Sequence, residues 1–448
     1  MGLRVNTVAE KRLNYVQRAL EKKIRNRSAK LGVIGLGYVG LPLATGLAQK
    51  GFRVTGIDID GGKVESVNAG ISYVLGVPNE SLCSVVVSGA MRATQSFATV
   101  ESLDTISICV PTPLRKTKDP DLSYIMAAVE AVHNHLRPGK LIVLESTTYP
   151  GTTRKVVLPI LEKSGLKAGR DFFLAYSPQR ADPVKTTYRM RDIPKIVGGI
   201  TPRCTALAAL LYHQFVDRII PVSSSESAEM IRFLESTFRS VDIVLANEVA
   251  RMCLKFNAEV WEVLEAVKSK PFDGVSFYSG PRVGLDHYAV DPYYRNWKTR
   301  MNEFEPRLLE IAAIIDSQMP AFTVSRIADA LNKSKKSLNG SHILVLGIAH
   351  TSDTTHIHES PSLEIVRALY DKGSVVSYSD PHVLSVELDG RTLTSTATTP
   401  DILSSADCVV ILTDHSAFDY PTIVAQSQLV LDCRNVLRKY RAENVIAL

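Results

Sequence analysis

The run Gly35-Leu36-Gly37-Tyr38-Val39-Gly40 constrains this chain more than any other part of it. It follows Leu31–Leu36, an apolar stretch that reads as a buried strand ending in glycine, and it precedes residues 41–50, which read as a helix. Glycines at this spacing allow a tight turn, close approach of a pyrophosphate to the main chain, and close helix–strand packing. A second short strand, Phe52–Ile57, leads into Asp58, 18 residues after Gly40, where an acid meets a ribose hydroxyl. Strand, glycines, helix, strand and acid in this order predict a unit that binds a dinucleotide. Aspartate rather than arginine at position 58 favours NAD over NADP. Lys63 reaches the same ribose or stands in solvent.

Strand and helix patterns keep alternating beyond this unit. Asp104–Val110 and Lys140–Glu145 read as buried strands, each followed by a turn with proline and threonine. Residues 226–268 form the longest helical stretch, with apolar Met230, Phe233, Leu234, Phe238, Val241, Leu245 and Val249 and no proline. A helix of that length links domains and offers a dimerisation face. Lys270–Pro292 is broken by prolines and glycines and reads as a functional loop. A second α/β pattern then begins, with strands at Ser341–Gly347, Val375–Ser379, Cys408–Thr413 and Gln428–Asp432 and a helix at Ser362–Lys372. The expected fold class is α/β: two Rossmann-like, doubly wound domains joined by a long central helix and a helical middle domain. The expected parts are a basic amphipathic N-terminal helix (1–30), an NAD-binding domain (31–220), a central helical and dimerisation domain (221–325), and a second nucleotide-type domain at the C-terminal end (326–448), to which the resemblance described below assigns a nucleotide sugar.

The 448 residues carry a net charge of +6, which raises nucleic acid or an anionic surface as a partner. The first 30 residues hold nine Lys or Arg against two Glu, so the rest of the chain is close to neutral. That segment also carries Val5, Ala9, Leu13, Val16, Leu20 and Ile24 at helical spacing, which predicts a helix packed on its own domain or a partner subunit, with a membrane-surface helix or a targeting peptide as the alternatives. With the charge so confined and no nucleic-acid motif present, no nucleic-acid partner is expected. Apolar runs such as Leu141–Leu144 are far below the roughly 20 residues needed to span a bilayer, so no integral membrane contact is expected. Six scattered cysteines without a C-x-x-C pair, and no secretory segment after the basic start, read as a reduced, cytoplasmic protein. His350, His356 and His358 raise metal binding, but their spacing is irregular and no cysteine is near, so no metal is expected.

Longer motifs carry a resemblance. Gly35-Leu-Gly-Tyr-Val-Gly-Leu-Pro42 looks like the opening of the UDP-glucose/GDP-mannose dehydrogenase family. Cys109-Val-Pro-Thr-Pro-Leu114, Pro120-Asp-Leu-Ser-Tyr124, Glu145-Ser-Thr-Thr-Tyr-Pro-Gly-Thr152, Ser177-Pro-Gln-Arg-Ala-Asp-Pro183, Ile193-Pro-Lys-Ile-Val-Gly-Gly199 and Asp291-Pro-Tyr-Tyr294 are similar to its UDP-N-acetylhexosamine 6-dehydrogenase branch. The likeness continues through Glu359-Ser-Pro361 and Thr413-Asp-His-Ser416, covering about residues 30–440. It implies NAD on the first domain, a nucleotide sugar (UDP-linked by the branch) on the last, and a homodimer through the central helix. It also implies oxidation of a sugar C6 hydroxyl to a carboxylate, by way of a cysteine thiohemiacetal and a thioester.

The chain departs from the family pattern where that chemistry takes place. The family's loop reads roughly Gly-Pro-Gly-Leu-Gly-Gly-His-Cys-Ile-Pro-Val-Asp-Pro. Here it is Gly280-Pro-Arg-Val-Gly-Leu-Asp-His-Tyr-Ala-Val-Asp-Pro292, which puts His287 at the cysteine position. The lysine and asparagine of the family's long helix, four residues apart and so on one face, become Arg232 and Ser236. The glutamate of its Ser-Pro-Glu becomes Gln179, which cannot act as a base. A lysine and an arginine of the C-terminal domain become Thr351 and His358.

By this alignment the catalytic candidates are His287, Arg232, Glu145, Thr147, Ser236 and Asp291. The cofactor set is Gly35, Gly37, Tyr38, Val39, Gly40, Asp58, Lys63, Pro111, Thr112 and Thr147. The substrate set is Gln179, Arg180, Arg232, Ser236, Tyr278, Gly280 and His358. A histidine titrates near pH 6.5 and suits general-base work on a sugar hydroxyl; in a loop it also serves as a solvated residue. Three outcomes are open: altered oxidoreductase chemistry without a thioester, an ordinary uronate-forming dehydrogenase, and a non-catalytic subunit that binds NAD or a nucleotide sugar.

Overall fold

A computed structural model describes residues 15–113 (save 75), 121–180, 192–269 (save 257) and 307–448 (save 356, 358, 359 and 441). Two compact units account for these residues, Met1–Glu235 and Ser236–Leu448. The boundary falls within a helix, Ser225–Lys255.

The first unit is built on an eight-stranded sheet of order β3-β2-β1-β4-β5-β6-β7-β8. Its strands are β1 (Lys30–Ile34), β2 (Arg53–Ile57), β3 (Met91–Thr94), β4 (Thr105–Ile108), β5 (Leu141–Leu144), β6 (Phe173–Tyr176), β7 (Lys195–Gly199) and β8 (Ile219–Val222). All neighbours pair in parallel except β6 and β7, which run antiparallel through Ala175 and Tyr176. β4, β5, β6 and β7 are buried along their whole length; β5 and β6 accordingly read as continuous apolar runs, while β4 and β7 also bury Thr105, Ser107 and Lys195. The sequence order reverses between β1 and β4, so a crevice opens at their carboxyl ends, where open α/β sheets take ligands.

The basic N-terminal helix is described over 15–25. Leu20 and Ile24 are buried in the first core, and Lys23 pairs with Asp104 at 2.6 Å. This half of the apolar stripe therefore packs on its own domain; residues 1–14 lie outside the described residues.

In the second unit, a five-stranded parallel sheet has the order β10-β9-β13-β14-β15. Its strands are β9 (His342–Leu346), β10 (Val375–Ser379), β13 (Cys408–Ile411), β14 (Val430–Asp432) and β15 (Val445–Ala447). A hairpin of β11 (Ser385–Leu388) and β12 (Arg391–Thr394) stands beside it. The long helical stretch differs from expectation. It is two helices, Ser225–Lys255 and Val260–Lys268, and the Glu259 side chain caps the second by accepting the amides of Trp261 and Glu262. Apolar periodicity persists across the break because both helices bury one face, so periodicity alone does not reveal the cap. Among the described residues no helix is long and apolar enough to cross a membrane.

Candidate active site

The glycine loop leaves β1 and enters the helix Gly40–Gln49. Gly35 has φ +88°, and a Cβ on Gly40 would fall 1.8 Å from the Gly35 carbonyl oxygen, so neither position accepts a side chain. A Cβ on Gly37 would meet nothing within 4 Å, so the loop is open on that side. Val39 supplies no side-chain cap to the helix, whose Leu41 and Leu43 amides donate to the Gly37 and Val39 carbonyls at 3.0 and 3.3 Å. Asp58 is buried at the end of β2, with Oδ2 accepting the Leu36 amide at 2.7 Å and Oδ1 accepting the Asp60 amide at 3.0 Å. The carboxylate thus fastens the glycine loop and keeps further lone pairs for a ribose. The Tyr73 hydroxyl donates to the Leu36 carbonyl at 2.8 Å. Burial, followed by the Asp58 and Asp60 carboxylates, pushes that hydroxyl well above the ordinary tyrosine range.

Tyr38 is exposed, Val39 is half-buried, and Lys63 is half-buried in the first turn of the helix Gly61–Asn68. Pro111 and Thr112 follow β4, on the far side of the crevice from the glycine loop. The cofactor candidates therefore gather around the ends of β1, β2 and β4.

Glu145 is held by partners of its own fold. Its side chain is fully buried at the end of β5. The Lys195 ammonium donates to Oε2 at 2.7 Å, and the Tyr212 hydroxyl donates to Oε1 at 2.5 Å. Lys195 also stands over the Tyr212 ring, 4.5 Å from its centroid. Burial, then the Glu145 charge, holds the thiol of neighbouring Cys109 well above its usual range, so that thiol is a packing group. Lys195 and Tyr212 are not legible as partners in the sequence, because only the sheet and the helix Pro202–His213 packed on it bring positions 145, 195 and 212 together. Thr147 lies half-buried two residues beyond Glu145, in the turn after β5.

Arg232 is buried on the helix Ser225–Lys255. Ser236 follows on that helix, and its side chain lies outside the described residues. Gln179 and Arg180 are half-buried after β6. Arg180 is engaged internally: Nε donates to Glu235 at 3.2 Å and Nη1 to the Pro194 carbonyl at 2.8 Å. Glu229, absent from the sequence-based set, is wholly buried on the same helix and accepts the amides of Gly151 at 2.6 Å and Thr153 at 2.9 Å. Its burial pushes the carboxyl up to about 7, against the hydrogen bonds from Thr153 and Gly151. His287, Asp291, Tyr278, Gly280 and His358 lie outside the described residues.

The second unit repeats the local device of the first. Gly347, at φ +81°, ends β9, and Asp380, at the end of β10, accepts the amides of Ile348 at 2.8 Å and Ala349 at 2.9 Å. Burial raises the Asp380 carboxyl, but the His415 ring and the Ala349 and His382 amides outweigh it and bring it down to about 2. Asp353, His382 and His415 place one potential metal-ligand atom each within 4.8 Å of one another. Both nitrogens of His415 already have partners, however. Nδ1 accepts the Asp353 amide at 2.9 Å and Nε2 faces Asp380 at 3.1 Å, so the group is a hydrogen-bonded corner of the fold. Of the histidines singled out in the sequence, His350 is buried, and His356 with His358 lies outside the described residues.

Comparison with known proteins fits this architecture. The chain matches the UDP-glucose/GDP-mannose dehydrogenase family in its NAD binding domain over residues 29–216, its central domain over 226–318 and its UDP binding domain over 344–439. It is 31% identical over 421 residues to UDP-N-acetyl-D-mannosamine dehydrogenase of Methanococcus maripaludis, covering 91% of this chain and 93% of that protein. It is 32% identical over 436 residues to NDP-N-acetyl-D-galactosaminuronic acid dehydrogenase of Ralstonia solanacearum, covering 94% and 98%. The solved structure of UDP-D-ManNAc dehydrogenase from Pyrococcus horikoshii superposes with a TM-score of 0.84 at 31% identity, over 93% of this chain and 98% of that one. The chain thus belongs to the UDP-glucose/GDP-mannose dehydrogenase family and is an NAD-dependent oxidoreductase of the nucleotide-sugar dehydrogenase type.

Proposed function

We propose that this enzyme oxidises a UDP-linked N-acetylhexosamine with NAD by chemistry that does not pass through a thioester. The observation that carries the reading is a formed dinucleotide cradle at Gly35–Gly40 and Asp58, combined with histidine at position 287 where the family places its cysteine. The relatives named for N-acetylmannosamine and N-acetylgalactosaminuronic acid nucleotides support the substrate class.

In this reading the open glycine loop and the positive end of the helix Gly40–Gln49 hold the pyrophosphate, and Asp58 holds the ribose. Bound NAD supplies the hydride acceptor. Thr147 positions the sugar hydroxyl, and His287 takes its proton as the C–H bond is oxidised, leaving an aldehyde. Arg232, a permanent cation, holds the oxyanion or a phosphate. Tyr278, Gly280, Gln179, Ser236, Asp291 and His358 border the sugar nucleotide. Glu145 serves from behind, through Lys195 and Tyr212, by fixing the end of β5. Without a thiol the aldehyde is released, is reduced again, or adds water and is oxidised as its hydrate.

Assembly follows from the central helix. Met230, Leu234, Phe238 and Leu245 are 48%, 47%, 62% and 46% exposed, which supports a homodimer along that face. Free cysteines, five of them buried, and the use of NAD support a cytoplasmic setting.

The test is incubation with NAD and a panel of UDP- and GDP-sugars, followed by mass spectrometry and NADH stoichiometry. A single NADH per aldehyde, or an epimer with no net NADH, supports two-electron or redox-neutral chemistry. A uronic acid with two NADH per sugar overturns both and leaves the hydrate route or ordinary dehydrogenation. His287→Ala and His287→Cys separate those two, since only ordinary dehydrogenation gains from the thiol. A non-catalytic subunit is the alternative, and any turnover lost in His287→Ala eliminates it.

A further inference from the structure

Three acids and a cation follow one another at three-residue intervals on the first turns of the helix Ser225–Lys255: Glu226, Glu229, Arg232 and Glu235. Each is a neighbour of the next on the helix surface, and the row turns around the helix as it proceeds. The two outer acids each hold an arginine of the first unit, Glu226 pairing with Arg154 and Glu235 with Arg180. Glu229 holds no arginine. It is wholly buried, and its donors are the Gly151 amide, the Thr153 amide and the Thr153 hydroxyl, the last at 2.6 Å.

Those donors sit where the turn bearing Thr147 becomes a helix. Gly151 has φ +93°, and residues Thr153–Val157 form a π-helical turn before the helix Leu158–Glu162. Such turns are rare and recur at functional sites. No side chain of the turn itself caps this helical start. Glu229 does so from a different element, meeting amides that would otherwise be unpaired in the interior.

We infer that Glu229 is a positioning residue of the redox site: its carboxylate pins Gly151 and Thr153 and so holds the Thr147 turn against the helix that carries Arg232. This rests on the reading that Thr147 and Arg232 serve the reaction. A glutamate reaching back from the next domain-spanning helix fixes both partners at once, whereas a cap supplied within the turn would fix only one. The residue touches neither substrate nor cofactor; its effect passes through the Thr147 turn.

The experiment compares the wild-type full chain with Glu229→Gln and Thr153→Val. In the glutamine variant an amide N–H confronts a backbone N–H, while size is kept. Amide exchange at Gly151 and Thr153 is expected to accelerate about tenfold or more, with the β1 and β2 strands unchanged. The kcat for the nucleotide sugar is expected to fall about 10- to 100-fold, the scale of a misplaced reacting group, with KM for NAD within about twofold. Thr153→Val removes one donor only and is expected to give a smaller change in the same direction. Unaltered exchange at Gly151 and Thr153 overturns the inference. So does a glutamine variant whose kcat stays within about twofold, or one whose exchange accelerates equally across the whole unit. Should the wild type oxidise no nucleotide sugar, the functional reading fails, and the exchange comparison still decides whether the clamp exists.

Discussion

Replacing Lys195 with methionine removes the cation from a carboxylate that has no water to turn to. Glu145 and Lys195 are 0% and 7% exposed, their atoms are 2.7 Å apart, and Tyr212 supplies a further contact to the carboxylate, a 2.5 Å hydrogen bond. Breaking a buried pair by removing one partner costs about 3–5 kcal/mol, because the remaining charge stays desolvated. Glu145→Gln with Lys195 intact strands the ammonium and is expected to cost a similar amount. The double variant leaves an amide beside a thioether, with the Tyr212 hydroxyl still able to donate. Its cost is expected to fall below the sum of the single costs by about 2–4 kcal/mol. The assay is native-state amide exchange over β5 and β7, the strands that carry the pair, with 3 kcal/mol corresponding to roughly a 150-fold change in the opening equilibrium. Single costs that add to the double within about 0.5 kcal/mol would refute the argument, since independent sites behave that way. The cycle also separates two views of Glu145, because a carboxylate kept for substrate would show little dependence on Lys195.

Other expectations follow from single observations. The Glu229 carboxyl is raised from an ordinary value of 4.5 to about 7, so its contribution to stability is full below pH 4.5 and is lost as pH rises through about 7. The shift is worth about 3 kcal/mol at most, and urea unfolding should show wild type losing stability relative to Glu229→Gln between pH 5 and pH 8. Gly40→Ala should abolish NAD binding by calorimetry, because its Cβ would sit 1.8 Å from the Gly35 oxygen. If the proposed dimer forms along the central helix, Phe238→Glu should shift it toward monomer in light scattering, as Phe238 is 62% exposed there.

The glycine fingerprint and its strand–helix–strand setting were readable without coordinates because each depends on local rules. A tight turn needs glycine whatever surrounds it, and a strand buried on both faces is mostly apolar, as Leu141–Leu144 is throughout. The same holds for the second unit, where Val375–Ser379 was placed residue for residue. The antiparallel β6–β7 pair and the β11–β12 hairpin were not readable, since pairing direction is settled by connections through space. The break between Ser225–Lys255 and Val260–Lys268 was missed because both helices share one apolar rhythm.

The site divides along the same line. The sequence by itself determined that a dinucleotide loop precedes Asp58 and that the basic surplus lies in one N-terminal segment, and it is the whole ground for proposing His287 at the position of the family's cysteine. Residue identity and spacing along the chain suffice for each of these. Tertiary structure alone decided what Glu145, Arg180 and Glu229 hold. Glu145 reaches Lys195 and Tyr212, Arg180 reaches Glu235, and Glu229 reaches Gly151 and Thr153, partners separated by 50 to 78 residues. A buried charge must find a partner, but which one it finds depends on where the sheet and the long helix bring side chains together.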